Sequence, residues 1–134
     1  TRELALQVLF LWDAHGQASD ETAIQVAEDL ADEAVTRSRG LEMARGAWDH
    51  HEQADKWMER LAPQWPPRRQ PGVDRGILRL AIWELTHTDT PPKVVIDEAI
   101  ELAKVFSTEN SPAFINGVMD AILKEHKALT DNPQ

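Results

Sequence analysis

An all-α fold is expected for this 134-residue chain on three grounds. Apolar residues recur every three or four positions in each long segment. Nowhere do apolar and polar residues alternate around an Asn-Gly or Asp-Gly turn, as a hairpin would require. Gly16, Pro66-Pro67 and Pro91-Pro92 fall between the periodic segments, where helices should stop.

A first helix is predicted from about Arg2 to Ala14, with Leu4, Gln7, Val8 and Leu11 on one face and Leu6, Leu9 and Phe10 on another; Gly16 ends it. Ser19 or Asp20 can cap a second helix, whose apolar stripe is Ile24, Ala27, Leu30, Ala31 and Ala34 and whose acids Glu28, Asp29, Asp32 and Glu33 face water. Gly40 is read as a break before a third helix, in which Ala44, Ala47, Trp48, His51, Ala54, Met58 and Leu61 recur up to Trp65. Pro66-Pro67 ends it, and the linker Pro66 to Gly72 should divide two helical subdomains, about 1–65 and about 73–128, of a single domain spanning 1–134. A fourth helix, about Asp74 to Leu85, is apolar on more than one side and should be central. The fifth, about Lys93 to Phe106, buries Val95, Ile96, Ala99, Ile100, Leu102, Ala103 and Phe106. Asn110 or Ser111, with Pro112 at the first helical position, starts a sixth that buries Ile115, Val118, Met119, Ile122 and Leu123, and Thr130 to Gln134 should fray.

Composition narrows the function. With no Cys there is no disulfide framework, thiolate metal site or thiol catalysis, and a reduced cytosol is compatible. The apolar runs fall far short of the roughly 20 residues that span a bilayer, and no signal peptide is recognisable. Residue 1 is Thr rather than Met, so the native start is expected upstream. The net charge of −9 should repel polyanions, but it is divided as −7 over residues 1–67 and −2 over residues 68–134. An anion-facing surface should therefore draw on the C-terminal half or the extreme N-terminus.

No pattern announces catalysis. Glu84-Leu-Thr-His87 has the spacing of half a carboxylate-bridged metal site, but no other His has a Glu three residues before it. His50 and His51 are adjacent on a helix and point about 100° apart, so they cannot share a metal; one should be solvated and the other packed against Trp48 or its neighbours. Asp97 and Glu101 share a face, as solvated acids near a helix start commonly do. The four serines lie in no nucleophile elbow, and there is no Gly-rich phosphate loop. A binding protein is expected rather than an enzyme.

Three stretches carry a resemblance. Arg2-Glu3-Leu4-Ala5-Leu6-Gln7-Val8-Leu9-Phe10, Val73-Asp74-Arg75-Gly76-Ile77-Leu78-Arg79-Leu80-Ala81-Ile82-Trp83-Glu84-Leu85, and the block from Lys93 to Asp120 with Phe114-Ile115-Asn116-Gly117-Val118-Met119-Asp120 resemble the bacterial transcription antitermination factor NusB family in order and spacing. The resemblance implies an all-α fold of two small helical bundles packed across each other. It also implies a cytoplasmic, non-enzymatic factor without a cofactor. Such a factor binds boxA RNA beside a small-subunit ribosomal protein acting as NusE, and joins an antitermination complex on RNA polymerase, chiefly in ribosomal RNA operons. An RNA-binding domain of a ribosomal RNA cytosine methyltransferase, or a helical module that binds only protein, are the competing implications.

By the same resemblance, Arg2, Gln7, Lys104, Asn110, Ser111, Phe114 and Asn116 are the expected RNA contacts, with Arg2 on phosphate and Phe114 on an unpaired base. Ser111 as a helix cap, Phe114 as core and Asn116 as a buried amide are the alternatives. The first-helix and sixth-helix residues should form one continuous surface. Phe10 and Asp74 are the expected protein-partner contacts, apolar and acceptor respectively, although Asp74 suits an N-cap equally and Arg75 or Arg79 can pair with nearby acids. Arg68 and Arg69 fall where acids would suit a basic partner better. Apolar positions on the first helix would also permit a homodimer.

Overall fold

The computed structural model describes residues 1–131, which form seven α-helices, one short 3-10 turn and no strand. The helices are α1 (Arg2–His15), α2 (Asp20–Leu30), α3 (Ala34–Asp49), α4 (His51–Leu61), α5 (Gly72–His87), α6 (Pro92–Phe106) and α7 (Ser111–Asp131), with the 3-10 turn at Pro67–Arg69. The first three pack on one another, the last four form a second bundle, and α5 touches α1, α3, α4, α6 and α7. The fold is thus two helical bundles packed across each other, with α5 at the centre as its two-sided apolarity predicts. Ile77, Leu78, Leu80, Ala81 and Ile82 of α5 share one core with Leu4, Val8, Leu9 and Trp12 of α1 and with Ile115, Met119 and Ile122 of α7. Burying each of the larger side chains contributes about 1.5–3 kcal/mol.

Local chemistry sets the ends of the elements. Gly16 closes α1 at φ 74°, its N–H donating to the Asp13 carbonyl while that of Gln17 reaches Trp12. Ser19 rather than Asp20 caps α2, its hydroxyl accepting from Thr22 N–H at 3.3 Å. The buried side of α2 is Ala23 and Ala27; Ile24 and Leu30, expected inside, are 51% and 56% exposed. The stripe assigned to α2 is therefore rotated by about one residue from the real contact face.

The expected third helix is two. Gly40 does not break the chain: it lies inside α3, where a Cβ would stand 2.6 Å from Leu4, so the glycine lets α1 and α3 approach closely. The actual break is at His50 (φ −111°, ψ 12°), after which α4 packs on α5 and α7. Its ring lies 4.1 Å from that of His87, while His51 packs on Trp48 at 4.6 Å. Helix α4 stops at Leu61, leaving Trp65 in the loop and 57% exposed. At the C-terminus α7 continues past Thr130, whose hydroxyl donates to the His126 carbonyl; residues 132–134, included in the expected fraying, lie outside the described residues.

Candidate nucleic-acid interface

The start of α5 and the start of α7 are tied by a buried polar knot. Asp74, 3% exposed, accepts from Ser111 Oγ at 2.9 Å and from Ser107 Oγ. Ser111, 2% exposed, in turn accepts from Thr108 N–H at 3.3 Å, and its hydroxyl lies 2.8 Å from that of Thr108. A carboxylate can be buried at this depth because its lone pairs are occupied by hydroxyls. Two expectations are corrected here. Asp74 is enclosed by its serines rather than presented to a basic partner, and Ser111 is an internal fastener rather than a surface contact for RNA.

The knot is the floor of a cleft of 340 Å³ whose walls include Trp65, Gln70, Pro71, Asn110 and Phe114. Asn110 and Asn116 are exposed and Phe114 is half-buried, so Asn116 is not a buried structural amide. Phe114 and Trp65 also line a neighbouring groove of 450 Å³ that runs along Pro63, Gly117 and Val118. Phe10 is 40% exposed, and its ring abuts Gly72, where a Cβ would lie 3.2 Å away; it therefore sits at this same end of α5.

Arg2 lies elsewhere. It donates from Nε and Nη2 to the two oxygens of Glu84, at 2.9 and 2.6 Å, and Glu84 is 3% exposed. The hydrogen bonds to Glu84 raise the Arg2 pKa further, against the opposing effect of burial. Glu84 is ten residues beyond Asp74 on α5, or about 15 Å along the helix axis. The expected continuous surface is therefore not gathered at one cleft: Asn110 and Phe114 meet near the start of α5, and Arg2 stands near its end. Gln7 is half-buried on α1, while Lys104 is exposed on α6 and reaches Glu101 at 3.3 Å.

Both carboxylate oxygens of Glu84 are engaged by Arg2, and among the described residues the Glu-x-x-His spacing gathers no group of three metal-ligating side chains. His87 packs on His50, and its pKa is lowered by burial first and by the neighbouring His50 second. Arg75 and Arg79 pair with acids, as one reading of the sequence allowed. Arg75 grips Asp13 at 2.5 Å, and Arg79, 7% exposed, reaches Asp13 at 3.0 Å and Asp55 at 2.7 Å. Sequence reading missed Trp65 and Gln70 as cleft walls. Trp65 continues the apolar period four residues after Leu61, so the one signal that it leaves the helix was its place immediately before two prolines.

A profile described as the NusB family matches residues 1–124. This chain belongs to the NusB family. It is 43% identical over 126 residues to a transcription antitermination protein NusB of Solibacter usitatus, covering 92% of this chain and 86% of the relative. A protein of the same name from Geobacter sulfurreducens is 42% identical, with 90% and 89% covered. Among solved structures, T. maritima NusB superposes with a TM-score of 0.78 at 34% identity, over 92% of this chain and 88% of that one. The crystal structure of antitermination factors NusB and NusE in complex with dsRNA gives a TM-score of 0.83 at 28% identity, over 92% and 93%. Among the described residues no helix is long and apolar enough to cross a membrane.

Proposed function

We propose that this chain is a transcription antitermination factor that binds boxA RNA together with a small-subunit ribosomal protein acting as NusE. It does so in the cytoplasm, as part of a complex that lets RNA polymerase read through terminators, chiefly in ribosomal RNA operons. The observation that carries this reading is the family match across residues 1–124, joined to a likeness over nearly the whole chain to a NusB held with NusE and RNA. The two curated relatives share the antitermination name and are covered over 86% and 89% of their own length, which favours this role over a methyltransferase domain.

The geometry supports a division of labour. Phe114 is half-buried and offers a ring edge or face to an unpaired base, while the exposed amides of Asn110 and Asn116 offer donors and acceptors beside it. Arg2 spends Nε and Nη2 on Glu84, which leaves Nη1 for a phosphate, and Lys104 and Gln7 extend the contact along α6 and α1. Phe10 serves the protein partner. The chain is a binding surface and has no part in covalent chemistry. The test is fluorescence anisotropy of a labelled boxA RNA against a scrambled control, with the chain alone and with the ribosomal partner. Preference for boxA that emerges with the partner is the expected result, and equal binding of both RNAs in its presence would refute the reading.

A further inference from the structure

Arg68-Arg69 is the only place in this acidic chain where two Lys or Arg residues are adjacent, and the proposed function leaves it unused. Elsewhere cations are largely drawn into ion pairs, from Arg2 with Glu84 to Lys124 with Asp120. Arg68 and Arg69 are exposed and have no ion-pair partner among the described residues. Their loop is held from the inside. Pro66 and Pro67 are buried, Gln70 Nε2 donates to the Trp65 carbonyl at 3.1 Å, and Arg75 Nη1 donates to the carbonyls of Pro67 and Gln70 at 2.7 and 3.0 Å. The fixed loop leaves Trp65, 57% exposed, and both Arg68 and Arg69 open to solvent.

A large ring on a rigid loop loses little entropy when another ring stacks on it. Trp65 also lines both clefts, and in each Phe114 is the other aromatic wall. Arg68 and Arg69 follow Trp65 by three and four residues on the same loop, and an exposed ring with cations free of carboxylates close by in the chain supplies what single-stranded nucleic acid requires: a face for a base and charge for phosphates. The nearest carboxylate in the cleft, Asp74, is shielded by its two serines. We infer that the Trp65–Arg69 loop and Phe114 form a strip for single-stranded RNA, with a base stacked on Trp65 and the flanking phosphates on Arg68 and Arg69. This rests on the RNA-binding reading and lengthens its track beyond Asn110 and Phe114.

The test uses the full chain with its ribosomal partner and a fluorescein-labelled boxA RNA carrying single-stranded flanks, titrated at several salt concentrations. Trp65→Ala should weaken binding about tenfold, with the salt dependence unchanged and with Trp65→Phe keeping most of the affinity. R68Q together with R69Q should flatten the slope of log K against log[salt] by about 1.4, or about 0.7 for each phosphate no longer neutralised. If these variants match the wild type while Phe114→Ala weakens binding, the strip is wrong and RNA recognition stands. If the wild-type complex does not prefer boxA, both readings fall. If the double variant instead loses the ribosomal partner, measured by calorimetry without RNA, the loop is a protein contact and the proposal is overturned.

Discussion

Of the six glycines, Gly46 has the least room for a side chain. A Cβ built there would stand 2.3 Å from Cε2 and 2.4 Å from Cζ2 of the Trp83 indole. An indole cannot swing aside as the tip of a leucine can, so Gly46→Ala must push α3 off α5 or force Trp83 from its rotamer. Overpacking of this kind costs about 1–3 kcal/mol. The expected outcome is a lower urea midpoint with an unchanged m value, measured by circular dichroism. At this scale the sequence was read well where a residue's type dictates its job, as with Gly16 at φ 74° and Ser19 as a cap. It was read poorly where a residue's job depends on what lies across from it. Gly40 looks like a breaker until Leu4 is seen above it, and Asp74 looks like an outward acceptor until Ser107 and Ser111 are seen around it. The cleft at Asn110 and Phe114 was legible because its residues are neighbours in the chain; its Trp65 wall was not, because that wall and Phe114 stand about fifty positions apart in sequence.

Three helices converge on one charged cluster. Asp13 of α1 and Asp55 of α4 hold Arg75 and Arg79 of α5; the Asp13 links tie the first bundle to the second, and the Asp55 link ties α4 to α5 within the second. Burial alone would raise the Asp13 pKa, but hydrogen bonds and charges from Arg75 and Arg79 outweigh it, and the net shift is downward. A carboxylate with a depressed folded pKa stabilises the protein fully above its unfolded pKa of about 3.9, and that contribution is lost as pH falls through the lower folded value. Asp13→Asn should therefore cost about 1–3 kcal/mol at pH 7, a modest figure because Asp13 keeps 20% of its side chain in water. Thermal melts of both proteins from pH 7 to pH 2 should show the gap narrowing below about pH 4. A gap that stays constant with pH would mean that Asp13 acts through packing rather than charge. Helix boundaries follow the same logic of partners. A continuous helix from 41 to 65 satisfies the local period, but α3 must lie on α1 while α4 lies on α5 and α7, and His50 takes the turn between them.

The whole molecule carries −9, and eight of its fourteen Lys and Arg side chains are engaged with carboxylates, so a phosphate chain approaching the isolated protein meets little unopposed positive charge. Affinity for RNA must then come from stacking, from amide contacts, from the few uncommitted guanidiniums and from the basic partner. Stacking is nearly indifferent to salt, whereas each phosphate neutralised on a single strand adds about 0.7 to the slope of log K against log[salt]. The isolated chain should therefore bind boxA RNA weakly and with a shallow slope, of about 1 to 2 if only Arg2 and the Arg68-Arg69 pair supply charge. Adding the ribosomal partner should steepen the slope as well as tighten binding, since the partner brings phosphate contacts that this chain lacks. Titrations at several salt concentrations between about 50 and 200 mM, over which log K falls linearly with log[salt], separate this from a partner that only reshapes the RNA site. In that second case affinity rises by a constant factor at every salt concentration, and the parallel lines would show that the acidic chain supplies the phosphate grip unaided.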